Sequence, residues 1–364
     1  MFRRLAASCV RFVAAISVAL NGVAAQACCP APPAGSIVLN ADQTVVILWD
    51  AAKKTQHFIR RASFHSEADN FGFLIPSPTA PELAESGDAV FPDLLNLTKP
   101  EIQYVSRPRQ MSCGCESKTT TSGSAGGSAA GTVHVLLEKA VAGFNAVVLD
   151  ATSTDALVEW LRDHHYAYSP EVAAWAKPYV EGGWKITALK VAKQSEELQS
   201  KTVDAKALRM SFQTDRPLFP YREPDYGPVP AERSAKRTLR IYFLGDKRYG
   251  GTLTPTEGWT GKTVWSNPIT KNDRTRILNE LKLPGSTGPE TFVLTEFEDD
   301  WAYRKAPADV YFDVVADQSG VKRPKVIVYT AAATLLPHDV AAYALVAAVV
   351  MPVVWSQRRR KSAA

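Results

Sequence analysis

Sixteen uncharged, largely apolar residues, Val340 to Trp355, run directly into Arg358, Arg359, Arg360 and Lys361. As a helix at 1.5 Å per residue they span about 24 Å, a little under the roughly 30 Å of a bilayer's hydrocarbon core. Asp339 can cap the start of that helix, Trp355 suits a membrane interface, and arginine stems can reach outward to recover the missing length. Pro352 lies inside the run, where a membrane helix tolerates proline better than a soluble one. The expectation is therefore a transmembrane helix over 336–356 and a basic tail over 357–364. Positive residues stay in the cytoplasm, which places everything before the helix on the other side. A surface-sorting tail that is later removed would share this layout.

The first residues agree with that topology. Arg3, Arg4 and Arg11 precede a short apolar core, Phe12 to Leu20, and Ala25-Gln26-Ala27 supplies small residues at −3 and −1. This is the pattern of a secretory signal over 1–27, with Cys28 as the first mature residue. A lipidated Cys28 is the weaker alternative, because Ala25 and Gln26 make a poor lipobox.

The formal charge of +5 belongs mostly to these two segments. Three arginines precede Cys28, four cations follow Gln357, and neither stretch contains an acid, so the body between carries about −2. A near-neutral body lacks the clustered cations of a phosphate-backbone binder, and no nucleic-acid partner is expected.

The mature chain retains Cys28, Cys29, Cys113 and Cys115. An even number in an oxidising compartment points to disulfides. Bridging adjacent cysteines, or Cys113 to Cys115 around Gly114, would make strained rings, so two bridges between the pairs are expected in an undetermined register. Closing a loop of that size stabilises by roughly 4 kcal/mol in the chain-entropy picture. A four-thiolate site for a soft ion is the rival, but the spacing is not the paired Cys-x-x-Cys of structural zinc. No metal or other cofactor is assigned.

Along 28–335, alternating β-branched and aromatic runs predict strands. Thr44–Trp49 and His57–Phe64 flank Asp50-Ala-Ala-Lys-Lys as a hairpin, and Phe71–Ile75 should end at Pro76, Pro78 and Pro81. The Ser, Thr, Gly and Ala stretch over 117–131 reads as a loop. Two strands, 132–137 and 144–149, precede a helix capped by Ser153 or Thr154, with Leu157, Trp160, Leu161 and His164 on one stripe. A second helix from Ser169-Pro170 carries Val172, Trp175, Ala176 and Tyr179 and should stop at Pro178 and Gly182-Gly183. A strand over 184–191 completes a β-β-α-α-β unit. Further strands are expected at 207–213, 238–244, 291–297, 310–315 and 325–329, with a helix over 267–281. The fold class that follows is α+β, mainly antiparallel, with a few helices.

Cys28-Cys29, Phe71-Gly-Phe-Leu-Ile-Pro-Ser-Pro78, Cys113-Gly-Cys115, Leu157-Val-Glu-Trp-Leu161 and Tyr179-Val-Glu-Gly-Gly-Trp184 occur in that order. As a set they resemble the bacterial family known as domain of unknown function 2330, from Cys28 to about Thr330. The resemblance implies an exported protein, often with a C-terminal membrane segment, and it implies no activity, so no catalytic residue is carried over.

Individual residues offer little chemistry. His164 and His165 beside Asp163 could serve as a base oriented by a carboxylate, but adjacent residues diverge on a helix and no nucleophile motif accompanies them. Glu296, Glu298, Asp299 and Asp300 could ligate Ca²⁺, yet the alternation Glu-Phe-Glu suits a strand with one wet face. Trp259 and Trp265 could stack on sugars, though core packing is the commoner role. Gly245 to Gly251 reads as a turn without Walker spacing. The functional expectation is a non-enzymatic envelope protein, tethered to the membrane, that binds an envelope protein or cell-wall component. The alternatives are a periplasmic hydrolase and a thiol-based metal binder.

Overall fold

In the computed structural model the chain is described over residues 29–31, 43–60, 63–65, 72–107, 133–166, 169–191, 202–204, 207–225, 237–253, 258–301 and 308–331. Cys28, Cys113, Cys115, the 117–131 stretch, the expected signal and the segment from Val340 to Arg360 lie outside these residues. Among the described residues no helix is long and apolar enough to cross a membrane.

The predicted hairpin forms the centre of the largest sheet. β2 (Gln43–Asp50) turns through Ala51–Lys54 into β3 (Thr55–Arg60), pairing Val45 with Arg60 and Asp50 with Thr55. Outward from β3 come β12 (Leu208–Gln213) and the edge strand β6 (Glu82–Glu85). On the other side come β14 (Arg237–Gly245), β17 (Val293–Trp301) and β16 (Lys262–Pro268). β14 runs parallel to β2, and the other pairings of this sheet are antiparallel.

A second sheet has the order β1-β5-β10-β9-β8, all antiparallel: β1 (Cys29–Ala31), β5 (Gly72–Ser77), β10 (Lys185–Val191), β9 (Phe144–Ala151) and β8 (Val133–Val141). A small third sheet joins β13 (Leu218–Phe219), β18 (Val310–Val314) and β15 (Tyr249–Thr252). β13 is fastened to the large sheet by buried Gln56, whose Nε2 donates to the Leu218 carbonyl while its Oε1 accepts from the Leu218 N–H, both at 2.8 Å. Two strand pairs complete the list, β4 (Ser63–His65) with β11 (Thr202–Asp204), and β7 (Ile102–Arg107) with β19 (Val326–Ala331).

The apolar run Val-Val-Ile-Leu-Trp in β2 needs cover on both faces, which is the requirement of an interior strand. Val45, Ile47 and Trp49 face an inner core shared with Phe73, Ile75, Phe144 and Val148 of the second sheet and Phe312 of the third. Val46 and Leu48 face α1 (Val90–Thr98) and α4 (Lys271–Glu280). The second sheet turns Leu74, Val147, Leu149 and Ile186 toward α2 (Thr154–Asp163) and α3 (Pro170–Glu181). The layers are thus helix, sheet, sheet, helix. The chain divides into two compact units: 1–99 with 118–322, which contains these layers, and 100–117 with 323–364, which contains β7 and β19. Among the described residues, many strands with four helices match the α+β expectation, and the β-β-α-α-β unit forms.

Several local expectations are corrected. β5 passes through Pro76 to Ser77, with Pro76 opposite Ile186. Among the described residues β1 pairs with Gly72 to Leu74 only, so no described strand lies beside Pro76 on that side and its missing N–H costs no ladder bond there. Pro178 lies inside α3, which continues to Glu181. The Ala174 carbonyl it leaves without a helical donor belongs to an exposed residue and can face water. Asn267 and Pro268 close β16, and α4 starts only after Thr270, whose Oγ1 accepts from the Asp273 N–H at 3.1 Å.

Candidate functional site

Alternation along β17 decides where its acids go. Phe297 and Asp299 face the inner core, whereas Leu294, Glu296 and Glu298 face the other way. Asp299 is 1% exposed and Glu296 0%, so the expected solvated acidic surface does not form at these two positions. The reason is that both faces of β17 are covered. Arg240 on β14 meets Glu296 at 2.8 Å and Glu298 at 2.6 Å. Burial works against the Arg240 charge, but these carboxylates push its pKa up overall. Asp299 accepts from the Tyr221 hydroxyl at 2.8 Å, Trp259 Nε1 at 3.1 Å and the Thr260 hydroxyl at 2.8 Å. Trp259 accordingly packs against the inner core, and a Cβ at Gly251 or Gly261 would collide with its ring. Trp265 packs against the core under α1 and α4.

Tyr221 links this carboxylate to a second one. Its N–H donates to Asp309 Oδ1 at 3.0 Å, beside the Arg222 N–H at 3.2 Å and the Tyr179 hydroxyl of α3 at 2.7 Å. Arg222 Nε lies 3.7 Å from the other Asp309 oxygen. Burial pushes the Asp309 pKa up despite those donors, and pushes the Tyr179 hydroxyl well up as well, with the Asp309 charge adding to it. These carboxylates already accept several bonds each inside a packed core, which suits crosslinking of elements better than turnover of a substrate.

A third polar group lies at one end of the face under α1 and α4. His57 on β3 sits opposite Ser211 on β12, and the imidazole Nδ1 is 2.8 Å from the hydroxyl. Burial, helped by the Arg209 charge, lowers the His57 pKa to about 4, so the ring is neutral at pH 7. Asp50 nearby accepts from the Lys53 ammonium at 3.0 Å, the Lys53 N–H at 3.1 Å and the Gly288 N–H at 3.0 Å; burial opposes ionisation there, and these donors hold its pKa below the usual value. Arg209 donates to the carbonyls of Leu281 and Lys282 at 2.8 and 2.7 Å.

The histidines singled out from the sequence are elsewhere. α2 ends at Asp163, one residue short of the predicted stripe, so His164 is an exposed cap rather than a residue of the apolar face. Its ring stacks on Trp160 at 4.0 Å, and its Nδ1 lies 2.8 Å from the Trp160 carbonyl. His165 follows with φ of 55°, and the carbonyls of both histidines lie near the Lys190 ammonium. Of the cysteines, Cys29 opens β1 opposite Leu74.

Open space occurs where two sheet edges approach. A groove of about 510 Å³ is lined by Ala84 and Glu85 of β6 and by Lys139 to Phe144 at the β8–β9 turn. That volume is within the range of ligand sites. Lys139 Nζ crosses it to the Leu83 carbonyl at 2.8 Å, and Glu85 is held by Lys282 at 3.0 Å. Among the described residues β6 pairs with β12 and β8 with β9, and neither has a second strand beside it there. Val135 and Leu136 on β8 are exposed beside a register shift between Val135 and Leu137. The sequence signalled β8 as a strand, but whether a strand lies at an edge depends on sheet order, which no local pattern encodes.

Residues 23–296 match a family described as "Uncharacterized protein conserved in bacteria (DUF2330)". No curated protein matches the sequence. A crystal structure of baculovirus P35 is similar at 9% identity over 79% of this chain and 96% of that one, with a TM-score of 0.30, a likeness too slight to argue from.

Proposed function

This chain belongs to the bacterial DUF2330 family, and we propose that it works as an exported binding module tethered to the membrane by its C-terminus. The signal over 1–27, the helix over 336–356 and the basic tail over 357–364 are parts of that proposal. An enzyme fused near residue 200 should be active only on the extracytoplasmic side; activity confined to the cytosol would overturn the topology.

The binding reading rests on the groove between β6 and the β8–β9 turn, a space of about 510 Å³ beside β8, the last described strand of its sheet. An extended segment of an envelope partner can add main-chain bonds along β8 and place alternate side chains against Val135 and Leu136. The buried acids, by contrast, are occupied within the fold. Ala140→p-benzoylphenylalanine in intact cells should yield, on irradiation, an adduct with an envelope protein that the same substitution at Val314 does not. Equal labelling from both positions would remove the groove from consideration.

The hydrolase reading is kept alive by the hydroxyl and imidazole of Ser211 and His57, 2.8 Å apart. It requires that a fluorophosphonate label Ser211 and that His57→Gln abolish the labelling. A thiol-based metal binder would carry stoichiometric metal after reductive purification, read by elemental analysis.

A further inference from the structure

The second compact unit contains, in its described residues, one pair of parallel strands, β7 and β19. In register, Val326 lies opposite Ile102 and Val328 opposite Tyr104, so these four side chains share one face. All four are exposed, Tyr104 at 68% and Ile102 at 56%. Only Arg107 is charged among the twelve residues of the two strands. Outside the strands, Lys325 and Glu101 neutralise each other at 2.8 Å.

A two-stranded ribbon with a bare apolar face is marginal in water and needs a covering layer. The chain itself indicates which one. β19 ends at Ala331, and only residues 332–339 separate it from the apolar run that begins at Val340. Eight residues reach at most about 28 Å even when fully extended. The ribbon is itself about 20 Å long, so it cannot leave the neighbourhood of a bilayer entered at Val340.

We infer that the Ile102, Tyr104, Val326, Val328 face lies on the bilayer, in the interfacial zone of the leaflet through which the anchor enters. The inference rests on the anchor proposed above. An amphipathic tyrosine beside aliphatic side chains suits that zone, and the scarcity of charge keeps the cost of entry low.

The test uses the full chain expressed in cell membranes, with p-benzoylphenylalanine at Tyr104 and, in a second variant, at Val328. Irradiation followed by mass spectrometry should find lipid adducts at both positions and none from Gln103 on the ribbon's other face. Adducts with protein, or no adduct, in a chain that stays in the membrane through an alkaline wash would overturn the inference and leave the anchor standing. A chain released by that wash would sink the anchor, and the ribbon's membrane contact with it.

Discussion

His57 shows how one side chain ties stability to pH. The residue is 9% exposed and its pKa is lowered to about 4, against 6.5 in an unfolded chain. Between those values the unfolded state binds a proton that the folded state refuses, so stability falls as pH drops through the window. Two and a half pH units correspond to roughly 3 kcal/mol. Asp50 opposes the shift, while Arg209 and Lys53 reinforce it. His57→Gln removes the titrating ring, so urea midpoints measured from pH 7 to pH 4 should fall less steeply in the variant than in the wild type. Parallel profiles would mean that the ring accepts a proton in the fold. Nothing in the local sequence marks His57, since its burial arises from pairing with β12, more than 150 residues away.

Elements were the best-read level of this chain, because their causes are local. α2 is announced by its cap: Ser153 Oγ accepts from the Ala156 N–H at 3.2 Å, and Leu157 and Leu161 are buried. Ser153→Ala should cost about 1 kcal/mol, measured by denaturant unfolding; an unchanged midpoint would show the cap to be idle. α1 escaped notice because Pro92 interrupts its sequence and its Ala89 cap has no side-chain acceptor. The pattern Glu-Phe-Glu marks β17 as a strand and distinguishes its two faces, but it does not say that both are covered, so the half-wet reading fails there. The half-buried partner of Glu296 supplies the test. Arg240→Met leaves that carboxylate without its ion pair and should destabilise by about 3 kcal/mol, the lower end for a buried pair because the guanidinium side chain is still 29% exposed. Restoring much of the loss with Glu296→Met in the same chain would locate the cost in the stranded charge.

At the scale of the whole molecule, what holds the layers together is a set of contacts between residues far apart in sequence, and these were invisible beforehand. Tyr179 comes from the helical layer over the second sheet, Tyr221 and Arg222 follow β13, and Asp309 precedes β18; the Tyr179–Asp309 bond alone spans 130 residues. A carboxyl accepting three bonds at one oxygen would ordinarily ionise easily, yet burial dominates and its pKa is raised. A raised carboxyl pKa has the opposite sign to that of His57. Above the ordinary carboxylate range the unfolded chain releases the proton while the folded chain still holds it, so this group's contribution declines as pH rises. Asp309→Asn keeps an oxygen for the same donors and removes the titration. The wild type's stability advantage over Asp309→Asn, measured by urea unfolding, should therefore be largest near pH 4 and shrink toward pH 8. An advantage that grows with pH would mean that Asp309 is ionised in the fold and that Arg222 outweighs burial in setting its charge.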